Sequence, residues 1–441
     1  MCLGAFVFKN SLYERLASLE SIGVKLGLEN IKKLLEALKH PEQSFFSILI
    51  AGTNGKGSVG ALLEAILRHH GYRTGHYSSP HLIDITERFK VSGEMISQSD
   101  FDSNLAFVFQ AIDRLLQEGT LLHPPTHFET LTALAFHYFQ QRSVEVAVIE
   151  VGLGGRFDAT NALSQKVSII TTIGFDHEQF LGERLSEIAA EKAAILKPLT
   201  TVVTGILDPE AMRVVAEAAE QRNCHLRALT QEDFRFLNLD TEGYPIFEYL
   251  PWNDVFRVRL RGKHQAHNAC VALLACEALQ RSGLRMQREL VRQALQQVRW
   301  PGRLQITAGS PRILLDCAHN PMGVETLADF LNDFGWNHVA GLFTSMRDKK
   351  IDRMLSVIAS KLEIIFLTRV PPYERCADRD ELVQAAELAQ ASYIYEKETD
   401  RALEKAVSYA RDKTIPLVVF GSIYLTGKIM SLLQHKRLDG V

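Results

Sequence analysis

The sequence predicts an α/β protein with largely parallel sheets, organised as a phosphate-loop domain over residues 1–299 and a Rossmann-like α/β domain over residues 300–441. Three observations predict it. Helical patterns and short apolar runs alternate almost throughout the chain. An apolar run at 47–51 leads through a glycine-rich turn into a helical stretch at 61–68. The break at Pro301-Gly302 ends that first series, and a fresh alternation begins beyond it.

In the first series, strands are expected at 47–51, 144–151, 167–173 and 201–204, and helices at 101–116, 129–139, 184–196 and 209–221. Residues 234–261 lack helical periodicity and read as a small β-rich insert. Helices at 266–281 and 286–298 then lead to the Pro-Gly break. In the second series, strands at 313–317, 339–343, 364–368 and 416–420 alternate with helices at 323–334, 350–360, 381–390 and 401–411, followed by a closing helix. Ligands of such sheets sit at strand C-terminal ends, so an active site between the two domains is expected.

Composition narrows the function. A chain of 441 residues exceeds what one core usually serves, and 46% hydrophobic with 23% charged residues is a globular profile. A net charge of −3 and a pI near 6.6 give no basic surface for nucleic acid. Six scattered cysteines without a C-x-x-C pair suit reduced thiols in a cytoplasm. The apolar start MCLGAFVF meets Lys9 too early for a leader or membrane span, so no membrane association is expected.

The chemistry concentrates at strand ends. In ILIAGTNGKGS (48–58), Gly52, Gly55 and Gly57 let backbone N–H groups approach an anion, Lys56 supplies a charge for outer phosphates, and the Ser58 hydroxyl suits a magnesium ion. An ordinary glycine turn is the bland alternative. The loop is a variant, because Ile50 stands where the common phosphate-loop pattern has its first glycine and Gly57 separates Lys56 from Ser58.

Glu150 closes an apolar strand, where a carboxylate is costly unless paired or metal-bound; it is a candidate magnesium ligand or a simple loop cap. The following GLGGRFDATN has Phe157 at the third glycine position of a dinucleotide fingerprint and no helix after it, which excludes NAD binding. Arg156 and Asp158 are instead expected to point into the cleft. His177 is either a second metal ligand or a hydrogen-bonded loop histidine. Lys192, on a helix poor in charge, reads by itself as an ion-paired or snorkelling lysine. Asp316, His319 and Asn320 follow a strand directly and suit ribose or phosphate; Pro321 has a sufficient explanation as a helix start.

These motifs resemble the folylpolyglutamate synthase and bifunctional dihydrofolate synthase family of the Mur ligase superfamily. The resemblance rests on GTNGKGS (52–58), YSSPHL (77–82), ERFKVSGEMI (87–96), HFET (127–130), EVGLGGRFDATN (150–161), DHEQFLG (176–182) and IAAEKAAILK (188–197). It continues in family order through HQAHNA (264–269), PGR (301–303), DCAHNP (316–321) and FGSIYLTG (420–427). It implies a Mur-ligase-type fold and an ATP-dependent amide ligase that adds L-glutamate to a folate or dihydropteroate carboxylate through an acyl phosphate. By matching motifs, Thr53, Asn54, Gly55, Lys56, Gly57 and Ser58 hold ATP. Ser58, Ser79, Glu150 and His177 hold Mg2+, and Asn268, Arg303, Asp316 and His319 grip the nucleotide.

Lys56, His177 and Lys192 are the implied catalytic residues, with Lys192 the lysine that can be carbamylated. Thr126, His127, Phe128, Arg156 and Asp158 are implied substrate residues. Lys25 stands where bifunctional relatives carry an aspartate, which bears against dihydropteroate recognition, and 368–378 departs from the usual proline-arginine form on the glutamate side. A monomer is expected. Tetrahydrofolate polyglutamylation alone, another Mur-type ligase on a cell-wall precursor, and a phosphate-loop switch without ligase chemistry are the alternatives. The stretch before residue 47 is too short for the extra domain of cell-wall ligases.

Overall fold

The computed structural model describes residues 11–23, 27–371 and 373–438. Lys25 lies outside the described residues. Two compact units emerge, one from Met1–Ile173, Phe180–Thr230 and Asn268–Leu295, the other from Gly174–Gln179, Gln231–His267 and Gln296–Val441.

The first unit is built on an eight-stranded sheet. Its strands are Phe46–Ala51 (β1), Thr74–Tyr77 (β2), Phe89–Val91 (β3), Glu94–Met95 (β4), Val146–Glu150 (β5), Val167–Ile170 (β6), Thr201–Thr204 (β7) and His225–Ala228 (β8), in the order β4-β3-β2-β5-β1-β6-β7-β8. From β2 to β8 all pairings are parallel, and β3 and β4 add an antiparallel edge. β1 and β5 lie side by side with Ile50 opposite Glu150, so their C-terminal loops emerge together. Helices Gln98–Gln117 and His127–Gln141 cover the sheet through Phe101, Phe136 and Phe139, which are fully buried.

The sequence reading finds β1, β5, β6 and β7 but not β2, β3, β4 or β8. β2 reads as T-G-H-Y, with no apolar run, yet all four residues are buried. Its first polar side chain is satisfied locally, since the Thr74 hydroxyl donates to Glu64 Oε1 at 2.8 Å. A Cβ on Gly75 would lie 3.0 Å from the Phe139 ring, so this strand trades side-chain bulk for closeness to a helix.

The second unit holds two sheets. Phe234–Leu239 (β9), Pro245–Tyr249 (β10) and Asp254–Arg257 (β11) form an antiparallel meander where the β-rich insert was expected. Gln305–Ile306 (β12), Ile313–Leu315 (β13), Val339–Phe343 (β14), Leu362–Arg369 (β15), Tyr393–Glu398 (β16) and Leu417–Phe420 (β17) make a six-stranded sheet, order β12-β13-β17-β14-β15-β16. Only β12 is antiparallel in it. This is the open α/β layout expected after Pro301; the short β12 and the charged, half-exposed β16 are the strands not expected there. Among the described residues no helix is long and apolar enough to cross a membrane.

Candidate active site

The loop after β1 is shaped by its glycines. Gly52 and Gly55 have φ of +152° and +86°, and a Cβ on them would sit 1.9 Å from Thr171 Oγ1 and 2.7 Å from Asn268 Oδ1. Only glycine lets the loop pass so close to both side chains. The loop is tied to the end of β6: Thr53 N donates to the Thr172 carbonyl at 2.7 Å, and Thr171 Oγ1 donates to the Asn54 carbonyl at 2.6 Å.

Helix Lys56–His69 starts directly from Gly55, with no side-chain cap. It begins five residues before the apolar pattern does. Within this early stretch, the missing Cβ of Gly60 lets the helix lie against His76 of β2. An uncapped helix N-terminus carries partial positive charge and outward N–H groups, which is an anion-binding arrangement. Lys56 adds to it: Nζ arches back to the carbonyls of Gly52 (3.0 Å) and Thr53 (3.3 Å), over the loop itself.

Next to this cradle, Glu150 ends β5 only 7% exposed, and its Oε2 accepts from Ser79 N at 3.4 Å. Ser58 is buried in the first turn of the helix. Among the described residues no three His, Cys, Asp or Glu side chains could hold a metal by themselves. Magnesium is bound by one or two protein oxygens while phosphate and water supply the rest, so the carboxylate and hydroxyls here fit that ion and do not fit zinc.

Thr126 caps helix His127–Gln141 in a reciprocal capping box with Glu129. Phe128 stacks on Tyr77 with ring centroids 6.0 Å apart and lies over Gly152, where a Cβ would come within 2.6 Å of its ring. Burial and the nearby Arg88 cation push His127 down to about 4 and His81 likewise to about 4. Arg88 Nε donates to His81 Nδ1 at 3.0 Å. Sequence alone gives neither His81 nor Arg88 a role; only the pairing in space marks them.

Within GLGGRFDATN, the Asp158 carboxylate turns onto its own loop. Its Oδ2 accepts from the N–H groups of Gly152 (3.0 Å) and Leu153 (2.9 Å), its Oδ1 from Thr160 N (3.0 Å) and the Thr160 hydroxyl. Burial pushes this carboxyl up, and the four hydrogen bonds oppose the shift. Arg156 does face solvent but is paired with Glu191 at 2.7 Å. The loop lies on helix Leu185–Ala193, where a Cβ on Gly155 would meet the Glu191 carbonyl at 2.6 Å and Lys192 Cα at 3.1 Å. Lys192, 4% exposed, is therefore packed under the loop and is not a snorkelling surface lysine.

The other predicted residues gather in the second unit. Asp316 accepts from Leu304 N and Ala318 N, both at 2.8 Å; burial raises its carboxyl while Arg303 opposes that. His319 Nδ1 is 2.8 Å from the Cys317 carbonyl, and its Nε2 is 3.5 Å from Asp176 Oδ2. His177 follows Asp176 with a φ of +52°. Asn268 alone of the nucleotide set lies with the glycine loop in the first unit. Asp176 and Lys349 were not singled out from sequence, since a lysine in the polar run RDKK carries no signal of burial.

Two domain families match this chain, the Mur ligase middle domain over residues 50–276 and the Mur ligase glutamate ligase domain over residues 302–423. Dihydrofolate synthase/folylpolyglutamate synthase of Bacillus subtilis is 32% identical over 421 residues, covering 93% of this chain and 96% of that protein. The chain belongs to the folylpolyglutamate and dihydrofolate synthase branch of the Mur ligases.

Solved Mur ligase structures agree with the fold. Mycobacterium tuberculosis folylpolyglutamate synthase complexed with ADP and AMPPCP superposes with a TM-score of 0.87 at 29% identity, covering 96% of this chain and 98% of that one. A bifunctional folylpolyglutamate synthase/dihydrofolate synthase with Mn, AMPPNP and L-glutamate bound gives 0.81 at 29% identity, covering 96% and 98%.

Proposed function

We propose that this protein is an ATP-dependent ligase that joins L-glutamate to the carboxylate of a folate, and of dihydropteroate as well. The observation that carries the reading is the glycine loop 52–58, which opens into an uncapped helix beside a buried strand-end glutamate. The nucleotide and the divalent metal in the related structures support it.

In this reading Thr53 to Ser58 wrap the triphosphate, with the helix N-terminus and Lys56 placed against its outer charge. Ser58, Ser79, Glu150 and His177 would hold magnesium, which when bound neutralises phosphate charge. Asn268, Arg303, Asp316 and His319 position the nucleotide. Thr126, His127 and Phe128 take the pterin, and Arg156 is the polar neighbour on that loop. Asp158 supports the loop and stays with Arg156 as a substrate residue.

The substrate carboxylate oxygen attacks the γ-phosphorus and ADP leaves. The glutamate amine then attacks the acyl carbon, loses a proton, and phosphate departs with the C–O bonding pair. No protein nucleophile is required, so positioning and charge do the catalysis. Lys192 in carbamylated form would turn a buried cation into an anion near the metal; an unchanged mass after carbon dioxide starvation and resupply would refute this. A monomer in the cytoplasm, with a domain boundary near residue 300, completes the reading. Cys224, Cys270, Cys276, Cys317 and Cys376 are not in disulfides, which supports a reducing compartment.

The test is phosphate release from ATP with magnesium and glutamate, using dihydropteroate and tetrahydrofolate in turn and weighing the products. Turnover with both supports dual activity. Turnover with tetrahydrofolate alone restricts the enzyme to polyglutamylation, and silence with both overturns the proposal.

A further inference from the structure

We propose that Asp176 is a positioning residue that fixes His177 and His319 from a single carboxylate, with Lys349 as the buried cation that holds it in place. The inference rests on the ligase reading above, in which those two histidines serve metal and nucleotide.

Asp176 gathers three separate stretches of chain. Its Oδ1 accepts from Lys349 Nζ at 2.5 Å and from the backbone N–H of His177 at 2.9 Å. Its Oδ2 accepts from Asn320 Nδ2 at 3.0 Å and lies 3.5 Å from His319 Nε2. The Lys349 and Asp176 side chains are 7% and 8% exposed. Lys349 Nζ is also 3.4 Å from His177 Nε2, while Asp348 Oδ2 lies 3.8 Å from the other ring nitrogen, so His177 is bracketed on both sides. One residue on, Lys350 pairs with Glu178 at 2.5 Å and stands over the Phe175 ring, fixing the loop on either side of Asp176.

Asp176 and Lys349 do more than hold the fold as an ion pair. A buried pair is a weak stabiliser compared with apolar side chains of the same volume, so its value lies in direction. The φ of +52° at His177 is a left-handed conformation that costs a non-glycine residue and is determined here by its neighbours. The hydrogen bond from His177 N to Asp176 and the contacts around the ring provide that determination. Lys349 supplies the charge that keeps the carboxylate facing both histidines.

The experiment compares Asp176→Asn, Lys349→Met, Lys349→Arg and the double variant Asp176→Asn/Lys349→Met. Each is assayed for thermal midpoint, for kcat and KM, and for Mn2+ affinity in the presence of AMPPNP by electron paramagnetic resonance. Each neutralising single substitution leaves one buried charge unpaired and lowers the midpoint. The double variant removes both charges and recovers the wild-type midpoint, yet loses on the order of 10- to 100-fold in Mn2+ affinity and kcat, as outer partners of metal-site histidines do. Its KM for glutamate stays within about threefold of wild type on the same grounds. Lys349→Arg keeps the cation and restores most of the Mn2+ affinity.

A double variant with wild-type Mn2+ affinity and turnover would overturn the proposal, as would one that stays as unstable as the single variants. Wild-type silence in the turnover assay counts against the ligase reading alone, because the Mn2+ arm reads the clasp without turnover.

Discussion

Two glycine-rich loops follow neighbouring strands of the same sheet, 52–58 after β1 and 152–161 after β5, and they use their backbone in opposite ways. The first ends in a full helix whose N-terminus has no side-chain cap and whose lysine lies back over the loop. The second ends in one short 3-10 turn, and its N–H groups at Gly152, Leu153 and Thr160 close on the carboxylate of Asp158. One loop is built to receive an anion from outside; the other carries its own. Glycine density therefore does not identify a phosphate site. What separates them is the charge of the acceptor the chain supplies: the N–H groups of Thr53 and Asn54 go to neutral oxygens of Thr172, those of Gly152, Leu153 and Thr160 to a carboxylate.

The strongest way to break that contrast is Lys56→Ala. Loss of the only side-chain charge in the first loop is expected to reduce turnover on the order of a thousandfold with an unchanged thermal midpoint. Near wild-type kcat would remove the loop from the chemistry. Asp158→Ala tests the other side: it strips the internal anion from buried N–H groups and is expected to cost about 3 kcal/mol of stability in urea unfolding. A variant as stable as wild type would show that the loop does not depend on its own acceptor.

A smaller effect is expected from Glu150→Gln. The acceptor geometry toward Ser79 survives, but the charge is lost, and a magnesium titration of turnover is expected to shift about tenfold upward. An unshifted titration would count against metal ligation there. The smallest effect sharpens the packing beneath the first loop. Burial, with Lys90 across the sheet, pushes the His76 imidazole down to about 3 from an ordinary value of 6.5. Between those values the unfolded chain binds the extra proton, so stability is complete above pH 6.5 and is lost as pH falls toward 3. The thermal midpoint of the wild type is expected to drop about 2 °C more than that of His76→Gln between pH 7.5 and 5.5. Parallel curves would show that His76 is not held neutral.

Apolar runs bounded by turn residues located β1, β7, β14 and helix Pro209–Gln221 nearly to the residue. They failed at β2, β8 and β16, where polar strands are made by pairing with neighbours and by local hydrogen bonds such as Thr74 to Glu64. Within the site, Lys56, Ser58 and Glu150 were legible because strand-end and glycine-loop chemistry is local in sequence. The bonding of Asp158 was not, since a carboxylate in a glycine loop looks the same whether it turns into a cleft or back on its own N–H groups.

Local order along the chain was enough to determine the α/β class, the phosphate loop and the family, because periodicity and short motifs are properties of adjacent residues. The burial of Lys349 against Asp176, the pairing of Arg88 with His81 and the inward turn of Asp158 were decided only by tertiary structure. In each, the direction of a charged side chain depends on which groups the fold brings within hydrogen-bonding distance; Lys349 lies far from Asp176 in sequence, and even the near neighbours of Asp158 and Arg88 meet only through the path the loop takes.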